Sequence, residues 1–247
     1  MSNSNDSKTF ETSSLLMTAS YLLQLVLLSI GLAILTHFWG DNLLLSFSDL
    51  TGDGVSGAGL AKVWFIFAWG GGLCLILYMI QGAAYAYDSR AVRFFKGMWI
   101  SLNAGVFEEL SYRWLKFFIA MITLPFFNWI TFGLVEWVYS TILVPLANFC
   151  TFGALEPFLL GGSSWVLGAA IISANVSFRD AHVNHGTLGK INVWFIGMVM
   201  FYLMLNYGIQ TAIAAHFLYD AIVLGIAAVA VDRPNTSTRR TSSVNWR

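Results

Sequence analysis

The sequence predicts an all-α fold, a polytopic transmembrane helix bundle of about eight spans, and three observations carry that prediction. Of 247 residues, 57% are hydrophobic and only 11% charged, with a mean hydropathy of +0.68, against roughly 45–50% apolar and about 25% charged in soluble domains. Apolar stretches long enough to cross ~30 Å of hydrocarbon recur along the chain. Lys and Arg gather in short segments between or after those stretches, as in cytoplasmic loops. Thirteen basic and 13 acidic side chains cannot cover a water-soluble domain of this length, which excludes enzyme folds with a charged exterior. A net charge of +0 and the absence of a basic stripe that could neutralise phosphates exclude nucleic-acid binding. Cys74 and Cys150 lie in apolar surroundings and read as core filler.

The elements follow in order. Residues 1–14 are polar, rich in Ser and Asn, and lack the pattern of a cleaved signal peptide; a retained, disordered cytoplasmic N-terminus is expected. Residues 15–39 carry no formal charge and form the first span. Residues 40–59 hold Asp41, Asp49, Asp53 and a glycine-rich run from Gly52 to Gly59. They read as a flexible external loop, because neither a phosphate-binding GxxxxGK[ST] ending nor calcium-loop acid spacing is present. The second span is 61–87, where Gly70-Gly71-Gly72 permits close helix approach. Arg90, Arg93 and Lys96 then set 88–96 inside. Further helices are expected near 97–119, 121–138, 140–155, 163–185, 192–207 and 209–231, the two middle ones being alternatively re-entrant or interfacial. The 232–247 tail, with four arginines, reads as disordered and cytoplasmic. The 15–231 bundle thus has both termini on the cytoplasmic side, in a bacterial inner membrane or a comparable organelle membrane. No internal repeat stands out by eye.

Ionisable side chains inside spans are costly and therefore functional candidates, and here they form three motifs. Glu108-Glu109-Leu110-Ser111-Tyr112-Arg113 is EExxxR. Glu109 and Arg113 share a helical face and can pair, while Glu108 is turned about 100° from Glu109. Phe178-Arg179-Asp180-Ala181-His182 is FxxxH, with His185 three residues further on. His216-Phe217-Leu218-Tyr219-Asp220 is HxxxD, placing an imidazole and a carboxylate on one face. Counted from the flanking polar residues, Glu108 and Asp220 lie about 18 Å and His182 about 12 Å from the inner boundary, so three helices bring polar groups to similar depths.

EExxxR, FxxxH and HxxxD, in this order on separate membrane helices, resemble the CPBP family of CAAX prenyl endopeptidases and bacteriocin-processing (Abi) proteins. The likeness covers about residues 97–231, the expected catalytic core. It implies an intramembrane endopeptidase with catalytic Glu108, His182, His216 and Asp220. Glu108 would activate water with His182, Glu109, Arg113 and Phe178 would support the site, and His216 with Asp220 would stabilise the oxyanion. The sequence departs from the family twice. About 70 residues separate Glu109 from His182, which implies an added hairpin around 129–157. Asp220 stands where the prenyl endopeptidases carry Asn, so it is expected to orient His216 or to be protonated.

The resemblance implies a metal-free reaction, and no HExxH is present. Zinc held by His182, His216 and Asp220 or Glu108 is the alternative. The partners implied are a peptide or membrane-protein substrate, the lipid bilayer and a possible membrane-protein partner. The rival readings are a non-catalytic scaffold or partner subunit and an ion- or proton-coupled transporter, because buried Glu, Arg and His clusters also suit proton relays.

Overall fold

A computed structural model describes residues 52–81, 89–160, 165–182 and 186–230, with 19, 23, 26 and 30 as isolated helical positions. Among the described residues every regular element is helical. Most of the expected first span, the 1–14 segment and the 232–247 tail lie outside the described residues.

The helices are α1 (Gly57–Lys62), α2 (Trp64–Gln81) and α3 (Arg90–Glu108), a π-helical turn Glu109–Lys116, and α4 (Phe117–Ile130). After these come α5 (Leu134–Val138), a second π-helical turn Tyr139–Leu143, α6 (Val144–Cys150), α7 (Glu156–Leu159), α8 (Trp165–Ala181), α9 (Gly186–Tyr207) and α10 (Ile209–Ala230). Among the described residues three helical runs are long and apolar enough to cross a membrane, namely Arg90–Ile130, Gly186–Tyr207 and Ile209–Ala230; Trp64–Ile76 and Leu134–Cys150 are apolar but shorter.

Several sequence boundaries change, among them the start of α3 at Arg90 and of α9 at Gly186. Part of the expected 40–59 loop is helix α1, because Ser56 Oγ accepts the Gly59 N–H at 3.1 Å as an N-cap and the Ser56 N–H donates to Thr211 Oγ1 at 2.9 Å. The expected break near residue 120 is absent, and the helix passes through Pro125 to Ile130. It stops instead at Phe132 and Gly133, with φ of 52° and 87°, values that no right-handed helix accommodates.

The chain divides into two compact units, one containing Gly52–Glu109 and Val199–Arg247, the other Leu110–Met198. In the first, α3 and α10 run antiparallel. Arg93 donates to the Ala228 carbonyl at 2.8 Å, Gly97 faces Leu224, and Gly105 faces Ile213 and Phe217. Gly97, Ser101 and Gly105 form a buried stripe of small residues on α3, which lets two helix backbones approach closely. Helix α2 runs parallel to α10, with Gly70 against Tyr219 and Gly71 against Ile222 and Ile226. The expected role of the glycine triplet therefore holds for Gly70 and Gly71. The start of α3 lies beside the end of α10, so the basic 90–96 segment and the chain leading to the basic tail share one end of this unit.

In the second unit α8 packs on α4 and is tied to α9 by Asn175 Nδ2 donating to the Trp194 carbonyl at 2.9 Å. The Tyr139 hydroxyl donates to the Leu159 carbonyl at 2.7 Å, and both residues crowd Gly168. The structure also exposes a repeat that the eye passes over. Pro125, Asn128, Thr131, Phe132, Gly133 and Glu136 recur as Pro145, Asn148, Thr151, Phe152, Gly153 and Glu156. Both copies build one turn. The Thr hydroxyl donates back to the carbonyl four residues earlier at 2.8 Å, Phe has φ 52°, and Gly donates to the Asn carbonyl at 2.8 Å in one and 3.0 Å in the other.

Candidate functional site

The polar group of the first unit grows from the contact of α3 with α10. Gly105 lies one helical turn before Glu108 and Glu109, and a Cβ there would be 3.1 Å from both the Ile213 carbonyl oxygen and the Phe217 amide nitrogen. His216, between those two residues, is thereby delivered to the acids at the end of α3. Its Nδ1 lies 2.6 Å from Glu109 Oε1, and its Nε2 lies 3.8 Å from Glu108 Oε2 and 3.5 Å from Asp220 Oδ2. The His216 and Glu109 side chains are 6% and 0% exposed, while Glu108 and Asp220 retain 31% and 27%. A buried imidazole–carboxylate pair is thus flanked by two acids that remain reachable.

About 100° apart on the helix, Glu108 and Glu109 straddle one imidazole on its two nitrogen sides. One sequence expectation changes. The group that fixes His216 is Glu109 rather than Asp220, since a 2.6 Å contact is a strong charge-assisted hydrogen bond and 3.5 Å lies beyond the usual range. Asp220 shares the Nε2 side with Glu108. The clue available in sequence was the Gly97-Ser101-Gly105 stripe, which identifies the face of α3 that meets another helix.

The second unit holds the remaining motif residues. Arg113 is fully buried in the π-helical turn, a widened helical turn of the kind often found at functional sites. Its guanidinium lies 3.9 Å over the Phe178 ring, a cation–π stack. Tyr112 meets the same ring edge-on at 5.3 Å and His182 does so at 4.7 Å. Gly197 of α9 leaves room for this cluster: a Cβ there would overlap Asn175 Oδ1 and stand 2.9 Å from Arg113 Nη2 and Phe178 Cδ1. His182 Nδ1 is 2.8 Å from the Phe178 carbonyl oxygen. A carbonyl only accepts, so Nδ1 carries the proton and Nε2 of the neutral ring is an acceptor. Phe178 therefore supports the motif twice, through its ring and its carbonyl.

Glu108, Glu109, His216 and Asp220 belong to one unit, Arg113, Phe178 and His182 to the other; His185 lies outside the described residues. Among the described residues no group of three or more His, Cys, Asp or Glu side chains is arranged to hold a metal ion.

No family model, curated protein or solved structure matches this chain. What can be said of function therefore rests on these side chains and their chemistry.

Proposed function

We propose that the protein is an intramembrane endopeptidase of the CPBP kind that hydrolyses a peptide or membrane-protein substrate with water activated by Glu108. The observation that carries the reading is His216 set between Glu109 on Nδ1 and Glu108 and Asp220 on Nε2. Peptide hydrolysis needs a base for water and a donor for the developing oxyanion. Glu108, partly open, takes the proton as the water oxygen attacks the carbonyl carbon. His216, protonated on both nitrogens, donates from Nδ1 to Glu109 and from Nε2 to the oxyanion. Collapse of the tetrahedral intermediate breaks the C–N bond, and the proton held by Glu108 passes to the leaving amine. Glu109 acts through His216 and is a positioning residue. His182, whose Nδ1 donates to the Phe178 carbonyl, enters this mechanism only as the resemblance implies.

In the same reading the protein is a multi-pass membrane protein, with both termini and the basic segments 88–96 and 179–190 on the cytoplasmic side. A proton-relay reading is favoured by one feature, the three carboxylates around a single imidazole. The deciding experiment is cleavage of a membrane-peptide library by purified wild type, Glu108→Gln and His182→Ala, with and without a chelator. Products that vanish in Glu108→Gln support the proposal. Unchanged cleavage in that variant, or none by wild type alongside proton flux in liposomes, overturns it. Loss of cleavage on chelation would move the mechanism to the zinc alternative.

A further inference from the structure

The repeated turn lies in the segment that separates the EExxxR and FxxxH motifs and has no part in the proposed chemistry. We infer that residues 131–160 form an in-plane hairpin seated at the headgroup–acyl boundary of one leaflet, on the non-cytoplasmic face, and do not supply two crossing spans. The partner surface is the lipid itself.

The first ground is the route of the chain. Trp165, the first residue of α8, lines with Trp129, Ile130 and Phe132 a recess of about 740 Å³ beside the first turn. The second turn is followed within a few residues by Leu159, whose carbonyl accepts the hydroxyl of Tyr139, close to the start of α5. The chain therefore leaves from and returns to the end where α4 stops and α8 begins. Residues 153–164 would have to make the return crossing, and they fall well short of the ~20 helical residues that one requires. Irregular backbone facing lipid is not tolerated across the hydrocarbon core.

The second ground is the chemistry of the turns. Each closes its backbone internally. Thr131, Phe132, Gly133 and Leu134 donate to Phe127, Trp129, Asn128 and Thr131, and Thr151, Phe152, Gly153 and Ala154 donate to Ala147, Phe149, Asn148 and Thr151. A turn that spends its N–H groups on itself suits a water-poor zone. At its tip it presents Phe132 at 99% and Phe152 at 88% exposure. Trp129, Trp137 and Phe149 are exposed around them; Trp is enriched at membrane interfaces, and Trp and Phe line the apolar faces of segments lying in the interface. Glu136 and Glu156, at matching places in the two copies, suit the headgroup level and not the bilayer interior.

The third ground is charge. No Lys or Arg occurs between Lys116 and Arg179, which assigns the hairpin to the side opposite the basic segments and leaves apolar insertion, without attraction to anionic lipid, as its mode of binding.

The test uses the full chain in sealed vesicles of known orientation, with Cys74→Ser and Cys150→Ser as background. Single cysteines at Phe132 and Phe152 are treated with a membrane-impermeant maleimide; Leu134→Cys and Ala154→Cys repeat the test away from the positive-φ residues. The expected result is modification of both turns from one side, opposite to Ser89→Cys. Modification from opposite sides, or from the side of Ser89→Cys, overturns the inference. Nitroxides at Trp137, Ile142, Leu146 and Phe149 should show oxygen collisions exceeding those with a water-soluble nickel chelate, at one shared depth. A profile that peaks at Ile142 and falls toward Phe149 would mean a crossing helix, and nickel-dominated collisions throughout would mean a hairpin in water; each overturns the inference. The result does not depend on whether the protein cleaves peptides.

Discussion

Gly105→Ala isolates the close helix approach that seats His216. The added Cβ would stand 3.1 Å from the Ile213 carbonyl oxygen, 3.1 Å from the Phe217 amide nitrogen and 3.3 Å from Phe217 Cα. All three are backbone atoms of α10 and cannot rotate away, so α3 and α10 must separate by a few tenths of an ångström to restore ordinary carbon contacts of ~3.5–4 Å. Overpacking of this kind costs about 1–3 kcal/mol, and the preference of helices for alanine over glycine returns roughly 1 kcal/mol. The expected net loss is about 0–2 kcal/mol, with the 2.6 Å bond from His216 to Glu109 stretched yet still within hydrogen-bonding range. Gly72 is the control, since a Cβ there meets nothing within 4 Å. Gly72→Ala should gain up to about 1 kcal/mol from helix preference alone. Unfolding midpoints of the two variants in the same detergent, measured by circular dichroism, check the pair. A Gly105→Ala variant as stable as Gly72→Ala, or more stable than it, would refute the argument that backbone contact at this glycine sets the site.

Arg113→Ala should lower folded yield in membranes more than Glu108→Ala, because Arg113 is fully buried over Phe178 and its truncation removes a desolvated cation–π stack of about 2 kcal/mol together with the packing of its stem, whereas Glu108 is partly exposed; fluorescence-detected size exclusion of both variants decides it. Gly197→Ala drives a Cβ into Asn175 Oδ1 and toward Arg113, so a loss at or above the ~3 kcal/mol end of the overpacking range is expected, read as a lowered melting midpoint. For the proposed endopeptidase reaction, Glu109→Gln should reduce the rate by about 10- to 1,000-fold with little change in KM, as when a histidine loses its orienting partner. Asp220→Asn should cost less than about tenfold, since Asp220 does not make the short bond to His216; the reverse order in steady-state kinetics would return the orienting role to Asp220.

The sequence by itself determined the solvent and the periodicity. Low charge, high hydropathy and long apolar runs require a lipid environment and helices, because backbone groups in hydrocarbon must be satisfied within the segment. It also named every polar residue now found around His216, since charged groups inside apolar helices stand out against their neighbours. It did not determine which acid meets which nitrogen. Spacing on a single helix places Asp220 beside His216, and it lies 3.5 Å away, yet the short bond to His216 comes from Glu109, 107 positions away in the chain. That choice depends on how closely α3 approaches α10, and the approach is set by side chains that are missing, at Gly97 and Gly105, rather than by any that are present. Helix ends were poorly legible for a related reason. Hydrophobicity is continuous through residues 117–160, so the stops come from two left-handed Phe-Gly pairs, a backbone property that apolar patterning does not register. The equivalence of those two turns became visible only when their hydrogen bonds were laid side by side, because the shared residues are scattered among unlike apolar neighbours and only the folded backbone brings them to matching places.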